Sequence, residues 1–309
     1  MMACSRMPWS GFLPRVFSPS LWLSSRARLV AARAIGVVAL SIAWTSVQAQ
    51  TSAPVDQPTE ACRTAFLADL VPYQAEYTSR LAGLRLATTQ SLSRTDQGYR
   101  LETRGRVLWR SMTEVSEFRV DHSGHLRPST YSYDRNSRRH DHQLQFAADN
   151  HQVTAIYRDE RHRLDGDSAL HDPLTQQLQL QMDLACSDQS QGQPLQLAYT
   201  VARRDRLREY RFERINRTWL RTAIGWLDAL QLLRTDTSGT RETRIWMAVE
   251  HFHMPVKIDY KERDGSQYRM EIESLRIGDH AIRGRASPPE QGPPAATNGD
   301  TVRVPGFDD

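Results

Sequence analysis

Tyr99-Arg100-Leu101-Glu102-Thr103-Arg104-Gly105-Arg106-Val107-Leu108-Trp109-Arg110 is the stretch on which the fold is decided. Its odd positions, Tyr99, Leu101, Thr103, Gly105, Val107 and Trp109, oppose a charged set made of Arg100, Glu102, Arg104, Arg106 and Arg110. Side chains alternate across a β-strand with period two, so this pattern is that of a strand with one buried and one wet face. Upstream the same period runs through Tyr73, Ala75, Tyr77, Ser79 and Leu81. Turn residues follow at hairpin spacing: Asp96-Gln97-Gly98, Ser123-Gly124, Asp149-Asn150, Ser238-Gly239 and Asp264-Gly265. Between them the sequence predicts strands near 84–94, 112–120, 126–134, 139–147, 151–158, 195–202, 206–215, 226–235, 244–252, 255–262 and 267–277. Strands joined by tight turns are antiparallel neighbours. The expected fold is therefore mainly β: a large bent antiparallel sheet, or an incompletely closed barrel, with one or two short helices. No strand–helix–strand rhythm is present, which argues against a nucleotide-binding α/β sheet.

Two helices are expected. Glu60 to Leu70 reads as a short one stopped by Pro72. In the second, Asp172 is the N-cap, Pro173 occupies the first helical position, and Leu174, Leu178, Met182 and Ala185 share a face. Leu180 and Leu184 widen that apolar surface, so the helix should pack on the sheet.

The N-terminal 49 residues look like a leader. Arg26, Arg28 and Arg33 form a positive flank, Ala34 to Trp44 is apolar, and Val47-Gln48-Ala49 offers a small-residue cleavage site. The apolar run is short of the roughly 20 residues that span a bilayer. The expected organisation is a signal peptide over 1–49, a linker over 50–59, a single antiparallel β domain over 60–282 and a disordered Pro-, Gly- and Ala-rich tail over 283–309. Export places the domain in the periplasm of a Gram-negative-type envelope.

The chain carries 40 Lys+Arg against 36 Asp+Glu. The leader holds five of the arginines and no acid, so the remainder is almost neutral. A nucleic-acid partner would need a basic excess on the folded domain, and none remains. The Arg-rich strand faces read as solvated surface. Cys4 falls in the leader, which leaves Cys62 and Cys186. An even pair in an oxidising compartment is the composition of a disulfide; two buried free thiols are the alternative.

Motifs that carry chemistry are missing. The sequence has no Gly-rich phosphate loop, no Gly-x-Ser-x-Gly turn, no His-Glu-x-x-His and no paired Cys-x-x-Cys. No catalytic residue and no cofactor are assigned, and a non-enzymatic role is expected. His140 with His142 and His251 with His253 each have the spacing of two metal ligands on one strand face, but neither pair has an identifiable third ligand, so no metal is expected. Asp165-Gly166-Asp167 resembles the start of a calcium loop and reads as a turn.

Several short pieces occur together: Pro72-Tyr73-Gln74-Ala75-Glu76-Tyr77, Leu126-Arg127-Pro128, Asp172-Pro173-Leu174-Thr175, Ile245-Trp246-Met247-Ala248 and Pro255-Val256-Lys257-Ile258. In order and spacing the chain resembles, over roughly 70–278, a bacterial family of exported proteins of unknown function. Thr175 stands where that family leads one to expect Ser, and keeps the hydroxyl. The general shape is similar to periplasmic lipoprotein carriers, a bent and incompletely closed barrel with helices over its concave face. The resemblance implies a binding or carrier module for an acyl-chain ligand or an acylated envelope component. Tyr73, Tyr77, Trp109, Phe146 and Trp246 would then line its groove, unless they simply fill the core. The alternative is a non-enzymatic scaffold or accessory protein in envelope assembly, with a protein partner. An apolar cavity on the concave face favours the first, and a filled one the second.

Overall fold

A computed structural model describes residues 60–290, with interruptions at 69, 82–83, 108–109, 137–138, 188–194, 237–241 and 262–266, and Gly292. The leader, the linker, Trp109 and most of the expected tail lie outside the described residues.

Helix α1 (Glu60–Ala68) precedes a meander of eight strands: β1 (Tyr73–Leu81), β2 (Leu84–Thr95), β3 (Gly98–Val107), β4 (Arg110–Val120), β5 (Leu126–Asp134), β6 (His142–Phe146), β7 (Gln152–Tyr157) and β8 (Glu160–Asp165). A two-residue strand, β9 (Leu170–His171), leads into helix α2 (Pro173–Cys186). The second meander is β10 (Gln196–Arg203), β11 (Arg206–Thr222), β12 (Gly225–Asp236), β13 (Glu242–Ala248), β14 (Met254–Lys261), β15 (Gln267–Ile277) and the short β16 (His280–Ala281).

All the strands form one sheet in the order β8-β7-β6-β5-β4-β3-β2-β1-β15-β14-β13-β12-β11-β10-β9, with β16 alongside β15. The two meanders join where β1 pairs with β15, Tyr73 opposite Ile277. Every pairing is antiparallel except β9 with β10. The sheet is open, since β8 and β9 end the order, but it bends far enough for distant strands to meet across α2. The Leu170 amide donates to the Asn150 carbonyl at 2.8 Å, tying β9 to the β6–β7 turn. Bulges at Glu76/Tyr77, Glu117/Phe118, Arg214/Asn216 and Trp246/Met247 supply part of the curvature.

The bend encloses α2. Ten of its fourteen residues are buried, including Gln176, Gln179, Gln181 and Asp183. Leu174, Leu178 and Met182 belong to one core cluster with strands of the first meander. Leu180 and Leu184, on the opposite flank, belong to a second with Tyr199, Phe212, Leu232 and Ile245. A helix apolar on two sides is an interior helix, a different thing from a lid. The sequence pattern suggested the wide face; the closure of the second flank comes from β10–β13.

The start of α2 is fixed by reciprocal capping. Asp172, fully buried, accepts from the amides of Leu174 (2.8 Å) and Thr175 (3.0 Å) and from the hydroxyls of Thr175 (2.9 Å) and Ser116 on β4 (2.7 Å). The Asp172 amide donates back to Thr175 Oγ1 at 3.1 Å. The helix end is tied by the Cys62–Cys186 disulfide, with Cα atoms 5.6 Å apart and a sequence separation of 124. Closing a loop of that length restricts the unfolded chain by about 5 kcal/mol in the chain-entropy model. α1 is seated against the β4–β5 turn, where Gly124 has φ +75° and a Cβ would lie 2.6 Å from that of Arg63. This holds Arg63 Nε 3.5 Å from Asp183 Oδ1.

The structure alters several sequence expectations. β8, β9 and β16 are additional strands, and β11 runs seven residues past its expected end, to Thr222. β13 ends at Ala248, so His251 and His253 lie in a turn and not on a strand. The expected tail begins too early. The Gly284 amide donates to the Ile224 carbonyl (2.7 Å), and Trp226 and Arg285 exchange two backbone bonds of 2.9 Å. Gly284 lies so close to the β11–β12 turn that a Cβ would be 2.6 Å from the Trp226 carbonyl oxygen. Ordered chain thus continues past 282.

Candidate functional site

Four of the five expected groove residues are core. Tyr73, Tyr77, Phe146 and Trp246 are each less than a tenth exposed and belong to the first cluster. The Tyr73 hydroxyl donates to Gln90 Oε1 at 3.0 Å, in a buried network with Thr103 and Gln177. The Tyr77 hydroxyl is buried with no hydrogen-bond partner, and burial raises its pKa. Trp246 packs under Lys257, whose Nζ lies 4.5 Å from the ring centroid. Trp109 is outside the described residues. One enclosed apolar space, bounded by Leu70, Tyr73, Gln181, Phe252, Met254 and Ile277, has a volume of about 10 Å³, room for one water molecule and not for an acyl chain.

Neither histidine pair lies together on one strand face. His142 opens β6 and is buried among the rings of Tyr131, Tyr133 and Tyr157, at centroid distances of 5.6, 5.4 and 6.4 Å. Its Nδ1 is hydrogen-bonded to the carbonyl of His140, which lies in the preceding turn. Burial lowers the His142 pKa to about 4, so the ring is neutral at pH 7. His253, buried near the Arg217–Asp228 ion pair, is likewise pulled to about 4, first by burial and then by Arg217. Among the described residues no group of three or more His, Cys, Asp or Glu is arranged to hold a metal ion. Asp165 ends β8, and its carboxylate accepts from Gln152 and Arg163.

Polar chemistry concentrates at one end of the inward face, above the start of α2. There the C-terminal ends of β1, β3, β5, β7, β10, β12 and β14 all lie at the same end of the sheet. Strand alternation from Ser116 places Glu114 inward, and alternation from Tyr199 and Val201 places Arg203 inward. Arg208 opposes Val201, Tyr210 opposes both Tyr199 and Asp236, and Phe212 opposes Arg234. The layer therefore contains Glu114, Tyr131, Tyr133, His142, Arg203, Arg208, Tyr210, Arg234 and Asp236, contributed by both meanders.

Its contacts are specific. Tyr131 donates to Glu114 Oε1 at 3.0 Å. Arg208 Nη1 lies 3.6 Å from Asp236 Oδ2. Arg234 donates to Thr243 Oγ1 at 3.0 Å and stacks over Tyr210 at 4.9 Å. Arg204 stacks over Tyr157 at 5.5 Å, with Nη2 3.2 Å from His140 Nδ1. Burial raises the Glu114 pKa, against the pull of Arg203. Most of these side chains are half-buried, so water reaches the layer. Arginines that alternation alone assigns to solvated surface thus include an inward-facing set, because the two meanders bring them over α2.

On the opposite, outward face of β3–β8 the sheet forms a groove of about 330 Å³, with Arg100, Glu117, Thr130, Gln143, Ile156 and Arg161 in its walls. Ile156 is one of two large apolar residues markedly exposed among the described residues.

An open antiparallel sheet wrapped on a buried, disulfide-anchored helix defines a β module built on an internal helix. The chain belongs to the family described as "Protein of unknown function (DUF3108)", whose profile matches residues 73–273. Solved structures similar to it include a β-barrel-like protein of domain of unknown function DUF1849 from Brucella abortus, 11% identical with a TM-score of 0.43. That match covers 68% of this chain and 99% of the other. MucB is 11% identical with a TM-score of 0.30, the match covering 75% of this chain and 64% of MucB. No curated protein matches the chain.

Proposed function

We propose that this protein is an exported, non-enzymatic module of the cell envelope that acts by holding an envelope partner at its surface. The observation that carries this reading is the burial of α2 on both flanks. The concave face on which a lipoprotein-carrier-like module would hold an acyl chain is occupied by the protein's own helix. The disulfide supports export, since such bonds persist in oxidising compartments such as the periplasm. The outward groove on β3–β8 supplies a surface for a partner.

Native mass spectrometry of protein isolated from its own envelope, with titration of a fluorescent fatty acid, tests the reading. The expected result is the mass of the oxidised chain without lipid, and no probe binding at micromolar concentration. A stoichiometric acyl ligand, or a probe displaced by one, would overturn it in favour of carriage.

A further inference from the structure

Helix α1 buries only Arg63 and Phe66 of its nine residues, and a helix of that length is marginal by itself. It is seated at the C-terminal end of α2. Phe66 meets Phe252 of the β13–β14 turn edge to face at 5.8 Å, Arg63 approaches Asp183, and Cys62 is bonded to Cys186. We propose that α1 is a redox-held latch: a dithiol reductant of the envelope releases it by reducing Cys62–Cys186, which uncovers Asp183 and Phe252. The proposal goes beyond the surface-recognition reading and stands on different residues.

The non-covalent seat is loosely made. Arg63 Nε lies 3.5 Å from Asp183 Oδ1 and is buried without a hydrogen-bond partner. Asp183 has other donors, since Gln179 Nε2 and the Tyr199 hydroxyl reach its two oxygens at 3.1 and 2.7 Å. Where the chain leaves α1, a void of about 10 Å³ remains between Leu70, Gln181 and Phe252, and Gln181 Nε2 is buried without a partner. The apolar contribution of α1 is Phe66 and the half-buried Leu67, which does not offset the entropy of ordering the whole helix. The rest of the fold is held independently: α2 is anchored at its start by Asp172 and on both flanks by the strands. Cys62 and Cys186 are both only half-buried, which leaves the bond open to a thiolate. One thiolate of the dithiol attacks a sulfur of the bond, and the mixed disulfide is resolved by the second thiol. The products are two cysteine thiols and one oxidised dithiol, with two electrons and two protons passing to the protein.

Hydrogen exchange followed by mass spectrometry compares the full oxidised chain with the same chain in dithiothreitol under native conditions. Release of the latch should speed amide exchange over residues 60–68 by about tenfold or more, with β1 and the start of α2 changed by less than about twofold. Cys62→Ser combined with Cys186→Ser should give the same pattern without reductant. If that double variant fails to fold, the reduced natural chain still decides. Unchanged protection over 60–68 after full reduction would overturn the latch, because the helix would then be held without the bond. Exchange rising equally through the sheet would overturn it too, making the bond a staple of the whole domain. So would a bond that dithiothreitol leaves intact in the folded chain. None of these results involves lipid, so the surface-recognition reading is decided separately by the fatty-acid probe.

Discussion

Replacing Asp172 with Ala removes the acceptor on which the start of α2 is built. The carboxylate accepts two helix amides and two hydroxyls, and none of these donors has water to turn to, since Asp172, Thr175 and Ser116 are all fully buried. Loss of an N-cap costs about 1 kcal/mol. Stranding the Ser116 hydroxyl, which is 2.7 Å from the carboxylate, adds about 1–3 kcal/mol. The expected destabilisation of Asp172→Ala is therefore about 3 kcal/mol. Asp172→Asn should cost only about 1 kcal/mol, because Oδ1 still accepts both amides. Burial raises the Asp172 pKa despite its hydrogen bonds. A raised folded-state pKa contributes stability that is full below the unfolded pKa and is lost as pH rises through the folded value, and Asn should abolish this slope. Urea unfolding followed by tryptophan fluorescence, with the disulfide intact, gives the midpoints. A loss under 1 kcal/mol for Asp172→Ala, or equal losses for both variants, would show that α2 is not anchored by this carboxylate.

Buried His142, His171 and His253 are each held near a pKa of 4, below the ordinary 6.5, with burial as the first cause. A depressed folded pKa gives stability present above about pH 6.5 and lost as pH falls towards 4, on the order of 3 kcal/mol per group. Glu114 and Asp172, raised by burial, oppose it. A net fall in the urea midpoint over that range is expected, shallower in His171→Phe; a flat profile contradicts it. Arg217→Met should cost about 3–5 kcal/mol by stranding Asp228, which is 5% exposed and paired through bonds of 2.8 and 2.5 Å. Met and Leu at both positions should recover most of this, and a harmless single variant would mean that the pair is solvated. Gly284→Val and truncation after Ile282 should each lower the unfolding free energy in urea titration by about 2 kcal/mol, through the contacts with Ile224 and Trp226. A truncated chain as stable as the full one would return 283–285 to the tail.

Local pattern was enough wherever one residue's neighbours in sequence decide its surroundings. Alternation around Tyr99–Val107, the turn residues at 96–98, 123–124 and 149–150, and the Asp172-Pro173 helix start all reappear in the structure. The Cys62–Cys186 pairing does too. Edge strand β8, Glu-Arg-His-Arg-Leu-Asp, has only Leu164 as an apolar residue on its partly buried face and so no apolar period to read. The buried glutamines of α2 look like a wet face until Leu126 supplies an amide to Gln179 Oε1 at 3.2 Å and Gln90 pairs with Gln177.

The sequence by itself determined an antiparallel β domain with a capped second helix, because period, caps and turns are local quantities; the structure decided between a disulfide and two free thiols. Only the tertiary structure decided that α2 lies inside the sheet, that the tyrosines and Trp246 are core, and that a subset of arginines points inward over the helix. Those outcomes depend on how far a sixteen-stranded sheet bends, through bulges and through contacts between strands more than a hundred residues apart. A one-residue bulge exchanges the faces of everything beyond it, so alternation could say that each strand has two faces but not which of them would meet α2.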